Sequence, residues 1–323
     1  MCKNPKTSTT TTVSEDETHN KKQLQQQQPL PKLSQFLDWN EPWILVPNGS
    51  FRGYFDNVPP TFRVGPWNQV CCLYLVVIVA WVIRECLQGY YYHHDSQSLL
   101  SANVVMIQNH WGPTTSWQWW MNAIGFTWTC YIAYRVIVSM GGFGAWICYT
   151  LQSWTLIMAR YGLSVLVPFL PSLAPFNEYL RFAMLLQTTI VFVMWNFAIL
   201  PAIYMTMKHG TAKQNFLKFC FTFTLVQLHI CNLPLAIMNG IWGSPTRELN
   251  QVDFGVALLL ALQYMIFYLL VLDRMGMHLY FIFSPRSLLA LVSWTAFVGC
   301  HYVGFTLWKT ILLRYGTQQQ MSS

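Results

Sequence analysis

The chain has 323 residues, of which 10% are charged and 54% are apolar, whereas soluble domains carry about 25% charged residues. This deficit and a mean hydropathy of +0.32 exclude an ordinary soluble domain and favour lipid as the surrounding solvent. The formal net charge of +7 is not gathered into a dense basic stripe. It therefore indicates charge beside membrane spans rather than nucleic-acid binding.

Residues 1–40 form a polar tail of low complexity, with TSTTTT followed by KKQLQQQQPLPK. Burial of such a sequence cannot offset the entropy lost on ordering, so a disordered N-terminal tail is predicted. The tail also lacks the apolar core of a signal peptide. Residues 41–66 contain repeated Pro and Gly among aromatic residues, which predicts a turn-rich segment at the level of the lipid head groups.

Six apolar runs follow, and each is about 20 residues or longer, which is enough to cross a hydrocarbon layer of roughly 30 Å. They predict an all-α, polytopic transmembrane helical bundle over residues 67–310, followed by a short polar C-terminal tail at 311–323. The predicted spans are 67–88, 117–140, 181–206, 216–241, 254–273 and 287–309.

Residues 141–175 are apolar but interrupted by Gly, Pro and Arg160. They are compatible with a seventh span, an interfacial helix or a re-entrant segment. The connection 89–117 has neither Lys nor Arg, which places it outside and the N-terminus in the cytosol. Seven spans would also put Lys208 and Lys213 on the inner side, so the charge pattern favours seven spans over six.

Several kinds of site are not indicated. The acidic residues lie in the tail, in connections or at span ends, which counts against a proton-relay transporter and a Ser-His-Asp triad. The nine cysteines include no CxxC pair. His93, His94 and His110 in the first outer connection match no compact metal site. A haem held by His229 and His301 is an alternative, but b-type carriers usually offer more histidines. No metal or cofactor is predicted.

His229 and Asn232 are three residues apart in the fourth span, so they share a helix face. Pro234 removes a backbone donor and predicts a kink that opens space beside the imidazole. Thr127 and Thr129 lie in the second span, at about 15 Å from its start and near the predicted depth of His229. The alternatives are a histidine that only packs between helices and threonines bonded to their own backbone.

Three segments resemble the androgen-induced protein family, whose superfamily includes Rolling stone-like proteins. They are LHICNLPLAIMNG in the fourth span, VLDRMGMHLYFIF at the end of the fifth and VFVMWNFAILP in the third. The order of the spans also agrees, and the resemblance covers roughly residues 117–310. The long tail and the insertion at 141–181 depart from the family pattern. These departures count against catalytic activity more than against the fold.

The resemblance implies an integral membrane hydrolase that cleaves fatty acid esters of hydroxy fatty acids with an intramembrane threonine nucleophile and a histidine. The histidine corresponds to His229 and the threonine to Thr127 or Thr129. Thr127 is preferred because an apolar residue precedes it and Trp128 follows it. Residues two apart on a helix point about 200° apart, so only one of the two threonines can face His229.

A neutral imidazole can take the proton of a threonine hydroxyl near pH 7. Because no acid lies at the middle of a span, the pair would be a dyad rather than a triad. Asn232 would orient the imidazole or donate to a developing oxyanion. A nucleophile-elbow hydrolase is not indicated, because the chain has no GxSxG. The expected partners are membrane lipids and a lipid ester that enters from the bilayer.

Two other functions fit the same sequence. One is a non-enzymatic Rolling stone-like membrane protein in adhesion, fusion or scaffolding, and the other is a membrane acyltransferase with a single embedded histidine. The sequence does not distinguish the endoplasmic reticulum from the plasma membrane, and it does not indicate an oligomeric state.

Overall fold

The secondary structure is helical, and the described residues contain no strand. The computed structural model describes residue 62 and residues 65–95, 114–139, 142–206, 210–244, 247–273 and 279–322. The predicted disordered tail and most of the predicted segment at 41–66 therefore lie outside the described residues. The all-α fold class is confirmed.

The helices are numbered in chain order. The α-helices are α1 (Gln69–Asp95), α2 (Trp117–Ser139), α3 (Tyr149–Leu166), α4 (Ala174–Val193), α5 (Leu200–Thr206), α6 (Thr211–Cys220), α7 (Phe223–Val226), α8 (Asn232–Ile237), α9 (Gln251–Phe267) and α10 (Leu289–Ser322). Four wider π-helical segments continue some of them, namely π1 (Met194–Ile199), π2 (Gln227–Cys231), π3 (Met238–Trp242) and π4 (Tyr268–Leu272). Short 3₁₀ turns lie at Phe143–Ile147, Pro171–Leu173 and Phe281–Phe283.

Five helical stretches of the described chain are long and apolar enough to cross a membrane. They are Gln69–Gly89, Pro171–Met205, Phe223–Trp242, Gln251–Leu272 and Leu289–Tyr315, and they correspond to the first, third, fourth, fifth and sixth predicted spans. They are consistent with a multi-pass integral membrane protein. The third predicted span begins ten residues earlier than predicted, so it also includes Glu178, whereas Arg181 was already its first predicted residue.

The predicted second span and the ambiguous stretch after it both form helices, but neither is among those five. The second span is α2, with 23 residues that include Asn122 and Arg135. Residues 141–175 contain a 3₁₀ turn and then α3, which has 18 residues and packs against both α2 and α4. The structure therefore puts a helix of the bundle where the sequence leaves three conformations open.

The long helices run alternately in opposite directions, as contacts at the two ends of the bundle show. At the near end, where α1 begins, Trp67 Nε1 donates to Asp273 Oδ2 at 3.0 Å. At the far end, Gln251 Nε2 donates to Glu85 Oε2 at 2.9 Å, so α9 begins beside the C-terminal part of α1.

The far end also holds the start of α2 and the end of α3. Asn239 Nδ2 donates to Asn122 Oδ1 at 2.9 Å and to Ser164 Oγ at 3.3 Å. Because Asn122 is near the first residue of α2 and Ser164 near the last residue of α3, α3 begins at the near end.

Close approach of α2 and α3 depends on Gly125. A Cβ added there would lie 2.3 Å from Cε1 of Tyr161, so any side chain would collide with the ring. The Tyr161 hydroxyl in turn donates to the Leu235 carbonyl at 2.8 Å, which joins α3 to α8. Small residues at such contacts are typical of helices that pack in lipid, where van der Waals contact replaces the hydrophobic effect.

Candidate active site

His229 lies on π2, where this segment meets π1, and its side chain is 6% exposed. Trp195 of π1 stacks on the imidazole, with ring centroids 3.9 Å apart and ring planes 18° apart. His229 Nδ1 lies 3.1 Å from the Leu225 carbonyl oxygen. A carbonyl only accepts hydrogen bonds, so Nδ1 of the neutral ring carries the proton and Nε2 keeps its lone pair.

The hydroxyl of Thr150 faces that lone pair. Thr150 is the second residue of α3 and is half-buried, and its Oγ1 lies 3.5 Å from His229 Nε2. This distance is longer than the roughly 2.6–3.2 Å of a working nucleophile and base, but such contacts often shorten only when the substrate binds. The structure therefore brings together a hydroxyl and the nitrogen that would take its proton.

The two threonines predicted as nucleophiles bond to their own helix. Thr127 Oγ1 donates to the Ala123 carbonyl and Thr129 Oγ1 to the Phe126 carbonyl, each at 2.9 Å. Thr127 is exposed and Thr129 is fully buried. Among the described residues, no hydrogen bond joins either hydroxyl to His229.

The helix that carries His229 begins at Phe223, whereas the predicted span begins at 216. A turn at 221–222 separates this helix from α6. Trp128 Nε1 donates to Gln227 Oε1 at 3.1 Å, so the part of α2 that carries Thr127 lies beside the part of this helix that precedes His229. Thr150 is nevertheless the hydroxyl that reaches the imidazole.

Asn232, predicted as an orienting or oxyanion residue, is 1% exposed and three residues after His229. Its Oδ1 accepts from the Leu233 N–H at 2.8 Å. Its Nδ2 is buried and has no hydrogen-bond partner within the described chain. Since an unpaired buried amide is costly, this NH₂ group is a donor that a ligand oxygen would satisfy. The Leu225 carbonyl, rather than Asn232, orients the imidazole.

Pro234 and Asn196 account for the local backbone. Pro234 has no N–H, so the Ile230 carbonyl loses its α-helical partner, and the chain is π-helical through π2. Asn196 Nδ2 donates to the Phe192 carbonyl at 2.7 Å and to the His229 carbonyl at 3.1 Å. Asn196 thereby donates to a backbone carbonyl on each of the two helices that contain π1 and π2. Such π segments occur frequently at functional sites.

No carboxylate hydrogen-bonds to His229 among the residues that the structure describes. The described acidic side chains pair elsewhere, namely Glu178 and Asp253 with Arg247, Asp273 with Arg286, Glu85 with Gln251, and Glu248 with Lys309. A catalytic arrangement here is therefore a dyad, with a backbone carbonyl in the position that an acid occupies in a triad.

His301, the second deep histidine, has separate surroundings. Its Nδ1 lies 2.8 Å from the Phe297 carbonyl, and its Nε2 is buried without a hydrogen-bond partner in the described residues. It borders a cavity of about 20 Å³ with Leu258 and Met265. No group of three or more metal-ligating side chains occurs in the described ranges, and the side chains of the outer-connection histidines lie outside them.

The site therefore combines a buried imidazole in a fixed tautomer, a hydroxyl facing its free nitrogen, and an unpaired amide one helical turn away. The sequence does not single out Thr150, because this residue lies in the stretch 141–175, for which three conformations stay open. Comparison with models of protein families, with characterised proteins and with solved structures gives no match for this chain.

Proposed function

We propose that the chain is an integral membrane hydrolase of lipid esters, with Thr150 as the nucleophile and His229 as its base. The observation that carries this proposal is the 3.5 Å between Thr150 Oγ1 and His229 Nε2, on the nitrogen that the Leu225 contact leaves unprotonated. The substrate class, a fatty acid ester of a hydroxy fatty acid, rests on the resemblance to the androgen-induced protein family.

In the proposed reaction, Nε2 of His229 takes the hydroxyl proton as Thr150 Oγ1 attacks the ester carbonyl. The resulting imidazolium returns the proton to the departing alcohol oxygen, and the acyl group stays on Thr150. Water then attacks the acyl-threonine with Nε2 again as base, which releases the fatty acid and restores the hydroxyl. The stacked Trp195 ring supports the transient positive charge on the imidazole by a cation–π interaction.

The oxyanion that forms at each attack needs a hydrogen-bond donor. We assign this role to Asn232, because its Nδ2 is buried and unpaired in the described chain. A donor held in place before the reaction stabilises the developing charge without reorganising in the transition state.

We further propose that α2 and α3 cross the membrane, which gives seven spans. Helices of 23 and 18 residues extend about 35 and 27 Å, close to the roughly 30 Å of a hydrocarbon layer. Both run between the two ends of the bundle and pack against each other. With the N-terminus in the cytosol, Thr150 would lie in the cytosolic half of the endoplasmic reticulum or plasma membrane.

Covalent labelling tests the assignment. The purified full-length protein is treated with a fluorophosphonate probe, and peptide mass spectrometry locates the label. We expect the label on Thr150, none in Thr150→Val and little in His229→Gln. Thr127→Val is the matched control and should label normally, because the Thr127 hydroxyl bonds to its own helix.

Folded wild-type protein that takes up no label would contradict the proposal and leave the non-enzymatic Rolling stone-like role. A label on another residue would contradict the choice of nucleophile. Turnover that requires an acyl-CoA donor would instead identify an acyltransferase.

A further inference from the structure

Five ionisable side chains form a buried cluster at the far end of the bundle, about 15 Å along α3 from Thr150. They are Arg160, Glu178, Arg181, Arg247 and Asp253, and all but Arg247 are 3% exposed or less. Arg247 donates to Glu178 Oε2 at 2.8 Å and to Asp253 Oδ1 at 2.6 Å. Arg181 Nη1 lies 3.2 Å from Glu178 Oε2. The cluster joins α3, α4, α9 and the connection before α9.

Among the described side chains, the cluster has three guanidinium groups and two carboxylates, so these five side chains together carry one excess positive charge. Burial acts to lower the pKa of Arg247, but Asp253 and Glu178 raise it above its usual value, so this arginine stays charged. The remaining acids whose side chains are described pair elsewhere, namely Glu85 with Gln251, Asp273 with Arg286 and Glu248 with Lys309. An uncompensated buried charge costs several kcal/mol, so an additional anion beside these five side chains would stabilise them.

Arg160 is the member with free donors. Its Nη2 donates to Ser244 Oγ at 2.8 Å, and the same atom lies 3.6 Å from Glu178 Oε1, beyond an ordinary hydrogen bond. Its Nε and Nη1 are buried and have no hydrogen-bond partner in the part of the chain that the structure describes. The guanidinium group is 0% exposed, so water at the protein surface does not solvate these donors.

We propose that Arg160 binds the oxyanion head group of a membrane amphiphile, either the carboxylate of a fatty acid or the phosphate of a phospholipid. The planar fork of donors on a guanidinium group matches both oxyanions, and one negative charge would balance the cluster. Glu178 is seven residues after Pro171, where an apolar membrane stretch begins. The cluster is therefore about 10 Å along that helix from its start, within reach of the head group of an amphiphile. This site is separate from the Thr150–His229 pair and does not depend on hydrolysis.

Thermal unfolding of the purified full-length protein in detergent tests the proposal. The probes are oleate, dioleoyl phosphatidic acid and inorganic phosphate, with methyl oleate and diolein as uncharged counterparts of the two lipids. We expect oleate or phosphatidic acid to raise the unfolding temperature, and the uncharged counterparts to leave it unchanged. Arg160→Gln should weaken the binding of the active lipid about tenfold or more, because two hydrogen bonds to a charged group are lost.

Arg135→Gln is the matched control, because Arg135 is exposed on α2 and donates to the Tyr131 hydroxyl. It should keep the full response to the lipid. A response to oleate alone would identify a carboxylate, and a response to phosphatidic acid alone a lipid phosphate. No response to any anion, a response to inorganic phosphate alone, an equal response to the uncharged lipids, or an unchanged response in Arg160→Gln would each overturn the proposal.

Native mass spectrometry of the wild-type protein provides a second test if Arg160→Gln does not fold. Oleate and methyl oleate are offered together, or phosphatidic acid and diolein together. Selective retention of the anionic lipid supports the site, and equal retention overturns it. Arg160→Lys keeps the charge but loses the planar fork, so it should retain less of the anionic lipid than the wild type does.

Discussion

Replacement of Thr150 by valine removes the proposed nucleophile and little else. Valine keeps the β-branched shape of threonine, and the described hydrogen bond of the Thr150 hydroxyl is the 3.5 Å contact with His229. Loss of a contact this long, at a half-buried position, should lower the free energy of unfolding by less than about 1 kcal/mol. Ester turnover, in contrast, should fall by at least about 10³-fold, since the hydroxyl and its base act in the same step.

His229→Gln should remove turnover to the same extent, but with a larger effect on stability. The imidazole stacks on Trp195, and such aromatic contacts contribute about 0.5–1.5 kcal/mol. The expected result is a folded protein with a lower unfolding temperature and no measurable hydrolysis.

The assay is hydrolysis of a fatty acid ester of a hydroxy fatty acid by the purified variants, with rates divided by the amount of folded protein. The double variant Thr150→Val/His229→Gln should be no slower than either single variant, because a nucleophile and its base form one unit whose effects do not add. Thr127→Val should keep the wild-type rate.

A wild-type rate in Thr150→Val would refute the assignment of the nucleophile. Loss of activity in Thr127→Val instead would return the assignment to the residue preferred from the sequence. A rate in His229→Gln that falls only in proportion to folded protein would show that His229 serves packing and not catalysis.

Three further predictions concern the fold and the topology. Gly125→Ala should lower the free energy of unfolding by about 1–3 kcal/mol, because its Cβ would collide with Tyr161. The control is Gly299→Ala, where an added Cβ meets no atom within 4 Å, and this variant should be as stable as the wild type or more stable. Equal shifts of the unfolding temperature in the two variants would contradict this packing. Residues Asn48-Gly49-Ser50 form a sequon for N-glycosylation. Asn48 should carry no glycan after expression in a eukaryotic cell, because the N-terminus is predicted to be cytosolic, and a glycan found by mass spectrometry would contradict this topology. Removal of residues 1–40 should leave a monodisperse species in detergent, since this polar tail has little apolar content to add to a core, and loss of that species in size-exclusion chromatography would refute the prediction.

Composition and hydropathy were enough to predict the helical class and the five stretches that are long and apolar enough to cross a membrane. This prediction succeeds because the preference of a 20-residue segment for lipid is nearly a sum over its residues, whatever their neighbours are. The same sum predicted a span at the position of α2 but left α3 open, and neither helix is among those five stretches because polar residues lower their hydropathy. For these two helices, packing inside the bundle has to be known.

The resemblance and the Pro234 pattern directed attention to the His229 segment, and the structure shows π-helical backbone and a Trp195 stack at that segment. The threonine opposite His229 was not foreseen. Thr127 and Thr129 were inferred from the resemblance and from depth counted along each span, whereas in the structure both hydroxyls donate to carbonyls of their own helix. Which side chain faces the imidazole depends on the start, direction and rotation of two separate helices, and periodicity within one helix does not contain this information.

The buried cluster of ionisable side chains around Arg160 was likewise not predictable from the sequence. The sequence by itself determined that the chain has few charges and that its apolar stretches suit a membrane, because these are properties of composition. Only the tertiary structure decided that three arginines and two carboxylates of the described chain meet in one cluster, and that Thr150 meets His229. Each of these facts is a contact between segments far apart in the chain, and its energy depends on distances that only the folded bundle sets.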